Sequence, residues 1–357
     1  MTPVSSFTRP SVSTRPTAEL DDLLATLDRS GDLLGCVEVL TELQRRNPTT
    51  SRAKRLVALR HEAFMSAPET PDGDEDWPGD VGPPLPLDGR DCADGLATVR
   101  VDELSCDVLR RGIQHHGALR IKEFLNDETV FELRSLIEQA WHDRDTWAAG
   151  DGQEPFGLYS PFVPRLPHRI GPLRVWAEQT GGLLGFDAPQ VLLRLIEVLA
   201  DSGAIAAIEE YLGERPVLSY DKTALRRVGV DTNSDWHQDG AFLGADLRTV
   251  NIWIALTDCG VDAPGLDVVP RRVPELLETG TSGAYFDWSI GDDVVRDHAG
   301  PTGVVRPRFA AGEALLFDQF CVHRTAVSPT MTKPRFAVES WFFAASTYPA
   351  DRIPLWV

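Results

Sequence analysis

Trp236-His237-Gln238-Asp239-Gly240 puts a histidine and a carboxylate at alternate positions. On an extended strand, alternate side chains point to one face, so His237 and Asp239 can reach the same point in space. His323 lies far downstream, with Arg335 beyond it. Two imidazoles and one carboxylate on one face of Fe(II) leave positions open for a co-substrate and O2. An arginine nearby can grip the far carboxylate of a 2-oxo acid through two parallel hydrogen bonds, because guanidinium is a planar fork.

Each residue also has an ordinary explanation. Most His-x-Asp pairs are surface polar residues, a lone histidine is usually a satisfied core or loop residue, and a lone arginine usually caps a carboxylate. Here the frame is apolar: Trp236, Gly240, Ala241 and Phe242 bracket the pair. His323 follows the run Ala314, Leu315, Leu316 and Phe317, which places it at the end of a buried strand. Four such coincidences in this order favour a site. Between them, Asn251, Trp253 and Ala255 share one face of a strand and Ile252, Ile254 and Leu256 the other. Asn251 and Trp253 therefore line the site if their face is the inner one. Arg226 and Arg227 are adjacent on the preceding strand, so one of them points inward.

The elements that must position these residues form two halves. Residues 1–16 read as disordered, and 17–65 as a helical extension in which Leu20, Leu23, Leu24 and Leu27, then Leu33, Val37, Leu40 and Leu43, carry helical spacing. Residues 66–90 are rich in Pro, Gly and Asp and read as a linker or surface strap, and 91–357 form the domain that carries the motifs. In that domain Ala118–Ile121 is a strand candidate, and Asn126 caps a long amphipathic helix to about Trp147. Two helices near 189–201 and 203–213 precede strands at 216–228, 248–257, 304–308, 313–318 and 334–344. The long aromatic inserts at 148–188 (Phe156, Tyr159, Phe162, His168, Trp176) and at 281–303 are placed to be lids. The fold class expected is α+β with a mainly β core. It is a double-stranded β-helix, the jelly-roll or cupin-like barrel, braced by helices and preceded by the helical extension.

A net charge of −19 argues against nucleic acid and against an anionic membrane surface, and leaves a small molecule as the expected partner. Five cysteines without a C-x-x-C pair argue against a disulfide framework or a structural zinc, which fits the cytoplasm. No apolar run approaches the ~20 residues that span a bilayer. The Ser/Thr/Arg-rich start keeps an organellar transit peptide as the alternative to a cytoplasmic location. Gly181-Gly182-Leu183-Leu184-Gly185 lacks the spacing of a dinucleotide fingerprint, and His115, His116 and His298 read as solvated or packing residues.

Over residues 115–345 the chain resembles the phytanoyl-CoA dioxygenase family of Fe(II)/2-oxoglutarate-dependent oxygenases. The pentapeptide at 236–240, Asn251-Ile-Trp253-Ile-Ala-Leu-Thr-Asp258, Pro264-Gly265-Leu266-Asp267-Val268-Val269-Pro270, and His323-Arg324-Thr325 with Arg335 carry the resemblance. It implies that His237, Asp239 and His323 bind Fe(II) and that Arg335 grips 2-oxoglutarate with help from Thr325. It also implies that Trp253 lines the co-substrate pocket, where Asn251, on the same strand face, would join it. O2 and 2-oxoglutarate would be converted to succinate and CO2 as a small or medium-sized organic substrate is hydroxylated. Asp239 occupies the position that related halogenases leave open for halide, so oxygenation is the outcome implied. The family's Pro-Gly-Ser-His turn reads Val269-Pro270-Arg271-Arg272 here, which leaves substrate identity open. Two other readings accommodate the same residues: a catalytically silent jelly-roll binding protein, and a metal-dependent cupin that uses no 2-oxo acid.

Overall fold

A computed structural model describes residues 12–67, 77–87, 94–150, 156–164, 171–232, 235–281 and 283–357. Residues 1–11, most of the 66–90 segment outside 77–87, and His168 lie outside the described residues. The expected extension is three helices, α1 (Thr17–Ser30), α2 (Leu33–Arg46) and α3 (Thr50–Met65). Asp32 and Thr49 cap α2 and α3 by accepting from the backbone N–H groups of Gly35 and Arg52. Leu20, Leu24, Leu40, Leu43 and Val57 are buried in the same apolar core as the domain that follows. Hydrogen bonds fasten α3 to the C-terminus: Arg60 donates to the Trp356 carbonyl at 2.8 Å, and His61 Nδ1 lies 2.8 Å from the Pro354 carbonyl.

The domain begins with β1 (Ala97–Arg100), α4 (Cys106–His116) and β2 (Ala118–Lys122). Gly117 joins the last two at φ 78°, where an added Cβ would meet the Arg271 carbonyl oxygen at 2.5 Å. Asn126 caps α5 (Asp127–Ala149) by accepting from Thr129 N–H at 2.8 Å. Then come α6 (Gly171–Gln179), β3 (Gly182–Leu184), α7 (Pro189–Asp201) and α8 (Ala204–Leu212). The strand read at 216–228 is two, β4 (Pro216–Ser219) and β5 (Ala224–Val228), separated by a 3-10 turn at Tyr220–Lys222.

After these come α9 (Gly240–Leu243), β6 (Thr249–Ala255), β7 (Gly265–Val268) and α10 (Asp292–His298). The chain ends with β8 (Ala314–Phe317), β9 (His323–Ala326), β10 (Arg335–Ala344) and β11 (Pro354–Trp356). Residues 304–308 do not form the expected strand; only Val305 bridges to Val268, in a segment that Pro307 interrupts and that Gly303 enters with φ 71°.

The large sheet runs β1-β2-β8-β6-β10-β4-β11, with β5 on β10 and β3 on β5, and the small sheet is β7-β9. Together they make the jelly-roll core. Cross-strand register decides which faces look inward. Asn251 pairs with Phe317 and Trp341, and Trp253 with Leu315 and Glu339, so these residues share the face that packs toward β7 and β9. The alternate residues Ile252, Ile254, Leu316 and Val338 join the second core under α4, α5, α7 and α8. Among the described residues, no helix is long and apolar enough to cross a membrane.

Candidate metal centre

His237 and His323 face each other across an antiparallel bridge, each donating its N–H to the other's carbonyl at 3.0 Å. Directly opposed residues send their side chains to one face, and the ring centroids lie 4.4 Å apart. Gln238 points the other way and latches the segment. It donates to the Glu275 and Phe320 carbonyls at 2.9 and 2.8 Å and accepts from Leu277 N–H at 2.7 Å. Trp236, also turned away from the site, donates to Asp292 at 3.0 Å and lies under the Arg324 guanidinium. Asp239 comes next and its backbone starts α9. Gly240 leaves little room for a side chain: an added Cβ would lie 2.6 Å from the Leu276 side chain, which would have to move, and 3.1 Å from the Gln319 carbonyl oxygen.

One donor atom each from His237, Asp239 and His323 can be chosen so that all lie within 4.8 Å of one another. Three details fit a divalent metal. His237 Nδ1 is 2.9 Å from the Asp235 carbonyl and His323 Nδ1 is 3.1 Å from the Cys321 carbonyl. A carbonyl can only accept, so each Nδ1 carries the proton and each Nε2 keeps its lone pair. Asp239 Oδ2 is buried with no hydrogen-bond partner, 3.7 Å from His323 Nε2, a costly arrangement that a metal relieves. Burial pushes the His237 imidazole down to about 4, with His323 acting the same way, so it is neutral at pH 7 and able to ligate.

A cavity of about 140 Å³ opens beside these ligands. Its lining brings His237, His323, Thr325, Arg335, Asn251 and Trp253 together, while Asp239 lies with His237 on an adjoining chamber. Arg335 is buried under Trp253, with its guanidinium carbon 5.5 Å from the ring centre, and donates to the Gly265 carbonyl at 2.7 Å. Its Nε has no partner, and burial lowers it to about 10. Among the described residues no carboxylate forms an ion pair with it, which leaves a buried cation facing a cavity large enough for a dianion's terminal carboxylate. Both side-chain amide atoms of Asn251 are likewise buried and unpartnered.

Sequence reasoning missed Glu339, which faces the cavity from the middle of β10. A carboxylate in Phe-Ala-Val-Glu-Ser-Trp-Phe-Phe, in step with Arg335 along the strand, was the available signal. Its partner is Arg226, the inward member of the arginine pair. Arg227 instead points out over the Trp141 ring at 4.7 Å. From the inserts, Trp176, Phe286 and Trp288 reach the cavity mouth, with Phe286 and Trp288 stacked 4.9 Å apart. Tyr159 and Phe162 do not: Tyr159 packs on Trp147, and Phe162 on Tyr220. His298 Nδ1 is 2.8 Å from the Val294 carbonyl, and that histidine lines neither chamber.

A jelly roll holding a His-x-Asp…His cluster beside a buried arginine defines the class of non-haem iron oxygenases that consume a 2-oxo acid. The chain belongs to the phytanoyl-CoA dioxygenase family, whose model matches residues 113–331. That match includes the three candidate ligands and ends ahead of Arg335. Fe(II) and 2-oxoglutarate are the cofactor and co-substrate of this class, and the donor set and a buried guanidinium that no carboxylate of the described residues pairs fit both.

Among solved structures, the chain is similar to EctD from S. alaskensis with 2-oxoglutarate and 5-hydroxyectoine. Identity is 14% over 66% of this chain and 74% of that one, with a TM-score of 0.45. SnoK, a non-heme alpha ketoglutarate dependent carbocyclase from nogalamycin biosynthesis, is 16% identical over 70% and 87%, with a TM-score of 0.44. AviO1 from Streptomyces viridochromogenes Tue57 is 18% identical over 67% and 94%, with a TM-score of 0.40. No curated protein matches the chain.

Proposed function

We propose that this oxygenase hydroxylates a small organic molecule, with His237, Asp239 and His323 holding Fe(II) and Arg335 holding 2-oxoglutarate. The observation that carries the proposal is the unpartnered Asp239 Oδ2 facing two histidine Nε2 atoms beside a buried arginine without a carboxylate. Bound Fe(II), 2-oxoglutarate and O2 together supply the oxidation, one oxygen atom leaving in succinate with release of CO2 and the other inserted into a substrate C–H bond.

The chain's own residues do the rest. The backbone carbonyls of Asp235 and Cys321 hold both imidazoles in the ligating tautomer. The Gln238 latch fixes the segment between His237 and Asp239, so that neither ligand can rotate away. Arg335 and Thr325 orient the far carboxylate of the co-substrate, Asn251 offers an amide to it, and Trp253 closes the wall beneath the guanidinium. Trp176, Phe286 and Trp288 keep bulk water from the mouth. A carboxylate at position 239 fills the place a halide would need, which supports hydroxylation over halogenation.

The test is 2-oxoglutarate turnover to succinate with Fe(II) and O2, together with the visible absorption that Fe(II) and 2-oxoglutarate give without oxygen. Both should vanish in His237→Ala, by at least about a thousandfold for turnover, or ~4 kcal/mol. Retained Fe(II)-dependent turnover in that variant would falsify the ligand assignment.

A further inference from the structure

Trp176 stands at the cavity mouth on α6, and little of that helix is held by apolar packing. Among its described side chains only Ala177 is buried; Leu173 is half-buried, and Val175 and Trp176 are exposed. A helix of nine residues does not keep its place through its own hydrogen bonds. Polar contacts at its two ends do so instead. At the far end Glu178 accepts from Arg144 Nε at 3.1 Å, and the Thr180 hydroxyl accepts from Arg226 at 3.3 Å. At the start, Arg174 reaches inward to Asp187.

Asp187 is fully buried and closes the 3-10 turn Gly185–Asp187 between β3 and α7. Arg174 donates to it as a fork, Nε to Oδ2 at 2.7 Å and Nη2 to Oδ1 at 2.9 Å. Oδ1 also accepts from the Phe162 N–H at 2.7 Å and from the Tyr220 hydroxyl at 3.2 Å. The Asp187 carbonyl takes the Ser160 N–H at 2.7 Å, and Arg174 Nη2 returns to the Phe162 carbonyl at 3.0 Å. One residue thus joins α6, the stretch 160–162, the turn ahead of α7 and the turn that leads into β5. The N-terminal extension backs this joint: His61 of α3 meets the Phe162 ring edge-on, with centroids 6.5 Å apart.

A buried ion pair is a poor device for stability alone, because hydrocarbon of the same volume avoids desolvating two charges. What a guanidinium–carboxylate fork does supply is direction, since two parallel bonds fix one plane against the other. Arg174 and Trp176 are separated by about 200° around the helix axis, so any roll of α6 on its Arg174 anchor carries Trp176 across the mouth.

We propose that Asp187 and Arg174 are positioning residues for the oxidation: the pair sets the roll of α6 and so holds Trp176 against the cavity beside the metal ligands. This rests on the oxygenase function proposed above and adds to it a pair that lines neither chamber of the site.

The test uses the full chain and three variants: Arg174→Met, Arg174→Lys and, as a control, Leu109→Ala, a core change in α4, which packs on α8 and β2. Backbone hydrogen exchange is measured first, without added metal. The α6 amides should exchange about tenfold faster in Arg174→Met, with β6 and β8 as slow as in the wild type. The chain is then loaded with Fe(II) and 2-oxoglutarate without oxygen, and bipyridine is added. Arg174→Met should lose its iron about tenfold faster, while the 2-oxoglutarate affinity read from the visible band stays within about twofold, since Arg335 is untouched. Arg174→Lys is the deciding variant. It keeps a cation beside Asp187 and should restore the thermal midpoint, but a point charge cannot make the fork, so iron loss should stay about fivefold faster or more. Leu109→Ala should lower the midpoint and leave iron loss at the wild-type rate. The proposal is overturned if α6 exchanges as in the wild type in Arg174→Met, if Arg174→Lys restores the rate of iron loss together with the midpoint, or if Leu109→Ala accelerates iron loss as much. If Arg174→Met does not fold, Arg174→Lys set against Leu109→Ala carries both measurements. A band absent from the wild-type chain refutes the oxygenase function, a separate outcome in which the hydrogen exchange still decides whether the pair seats α6.

Discussion

The two faces of strands β6 and β10 have opposite fates. On the face under the helices, Ile252, Ile254, Val338 and Phe342 are buried among other hydrocarbon side chains, and the small Ser340 hydroxyl is the one polar side chain that these two strands place there. On the other face, one residue along in each strand, Asn251, Trp253, Arg335 and Glu339 surround a cavity, and several of their polar atoms have no protein partner. Alternation lets one strand serve both purposes: successive side chains are separated by the sheet itself, so a dry core and a polar site coexist less than a nanometre apart. The helix-facing side stabilises the fold. The inner side carries unsatisfied groups that only ligands can complete, and it is tolerated because the other side is so well packed.

This contrast predicts which measurements separate the faces. The largest effect on stability belongs to the helix-facing side. Phe342→Ala removes a fully buried ring from the core and should cost ~3–5 kcal/mol. Urea denaturation would show it as a lowered midpoint, and a loss under about 1 kcal/mol would contradict the division.

On the inner face, Arg335→Ala should raise the 2-oxoglutarate KM about 10- to 100-fold, ~1.4–2.7 kcal/mol, with little loss of thermal stability because it removes a buried cation that no carboxylate neutralises. Arg335→Lys should rescue only part of the effect, since a point charge cannot make the paired bonds. Steady-state kinetics with 2-oxoglutarate varied decide this, and an unchanged KM would favour a cupin that uses no 2-oxo acid.

The smallest effect is in the pH dependence of stability. Glu339 has a folded pKa of about 2 against an ordinary 4.5, so the unfolded chain binds more protons between those values. Its contribution is present above pH 4.5 and is lost as pH falls through about 2. Glu42, held at about 2 by Arg45 and Arg46 in the helical extension, adds to the same acid limb. Glu339→Gln should flatten the part that belongs to the site, read from thermal midpoints at stepped pH. An acid limb identical to wild type would show that the Arg226–Glu339 pair does not couple to folding.

Much of the candidate site was legible because its residue types are chemically unusual and its spacing is strict. His237 and Asp239 announce a shared face, and the apolar run before His323 announces a buried strand end. The helices were legible where caps and stripes agree, as at Asn126 and α5. The short strands β7 and β9 were not, because four residues carry too little periodicity and their pairing spans distant parts of the chain. The 304–308 segment misled for the opposite reason: its composition suits a strand, but only one bridge forms. Glu339 was passed over because a lone carboxylate in an apolar strand acquires meaning only through the groups opposite it.

The amino-acid sequence by itself determined the donor types, their order along the chain and the alternation that groups them, since these follow from covalent spacing. It also determined that Arg226 and Arg227 must part company, because neighbours on a strand face opposite ways. Only the tertiary structure decided which face is the interior. Cross-strand register sets Asn251, Trp253, Arg335 and Glu339 on one wall, and the choice depends on where the helices bury the other. The pairing of His237 with His323, and of Arg226 with Glu339, was decided there too, because contacts between distant segments are properties of the packed chain and not of any one stretch of it.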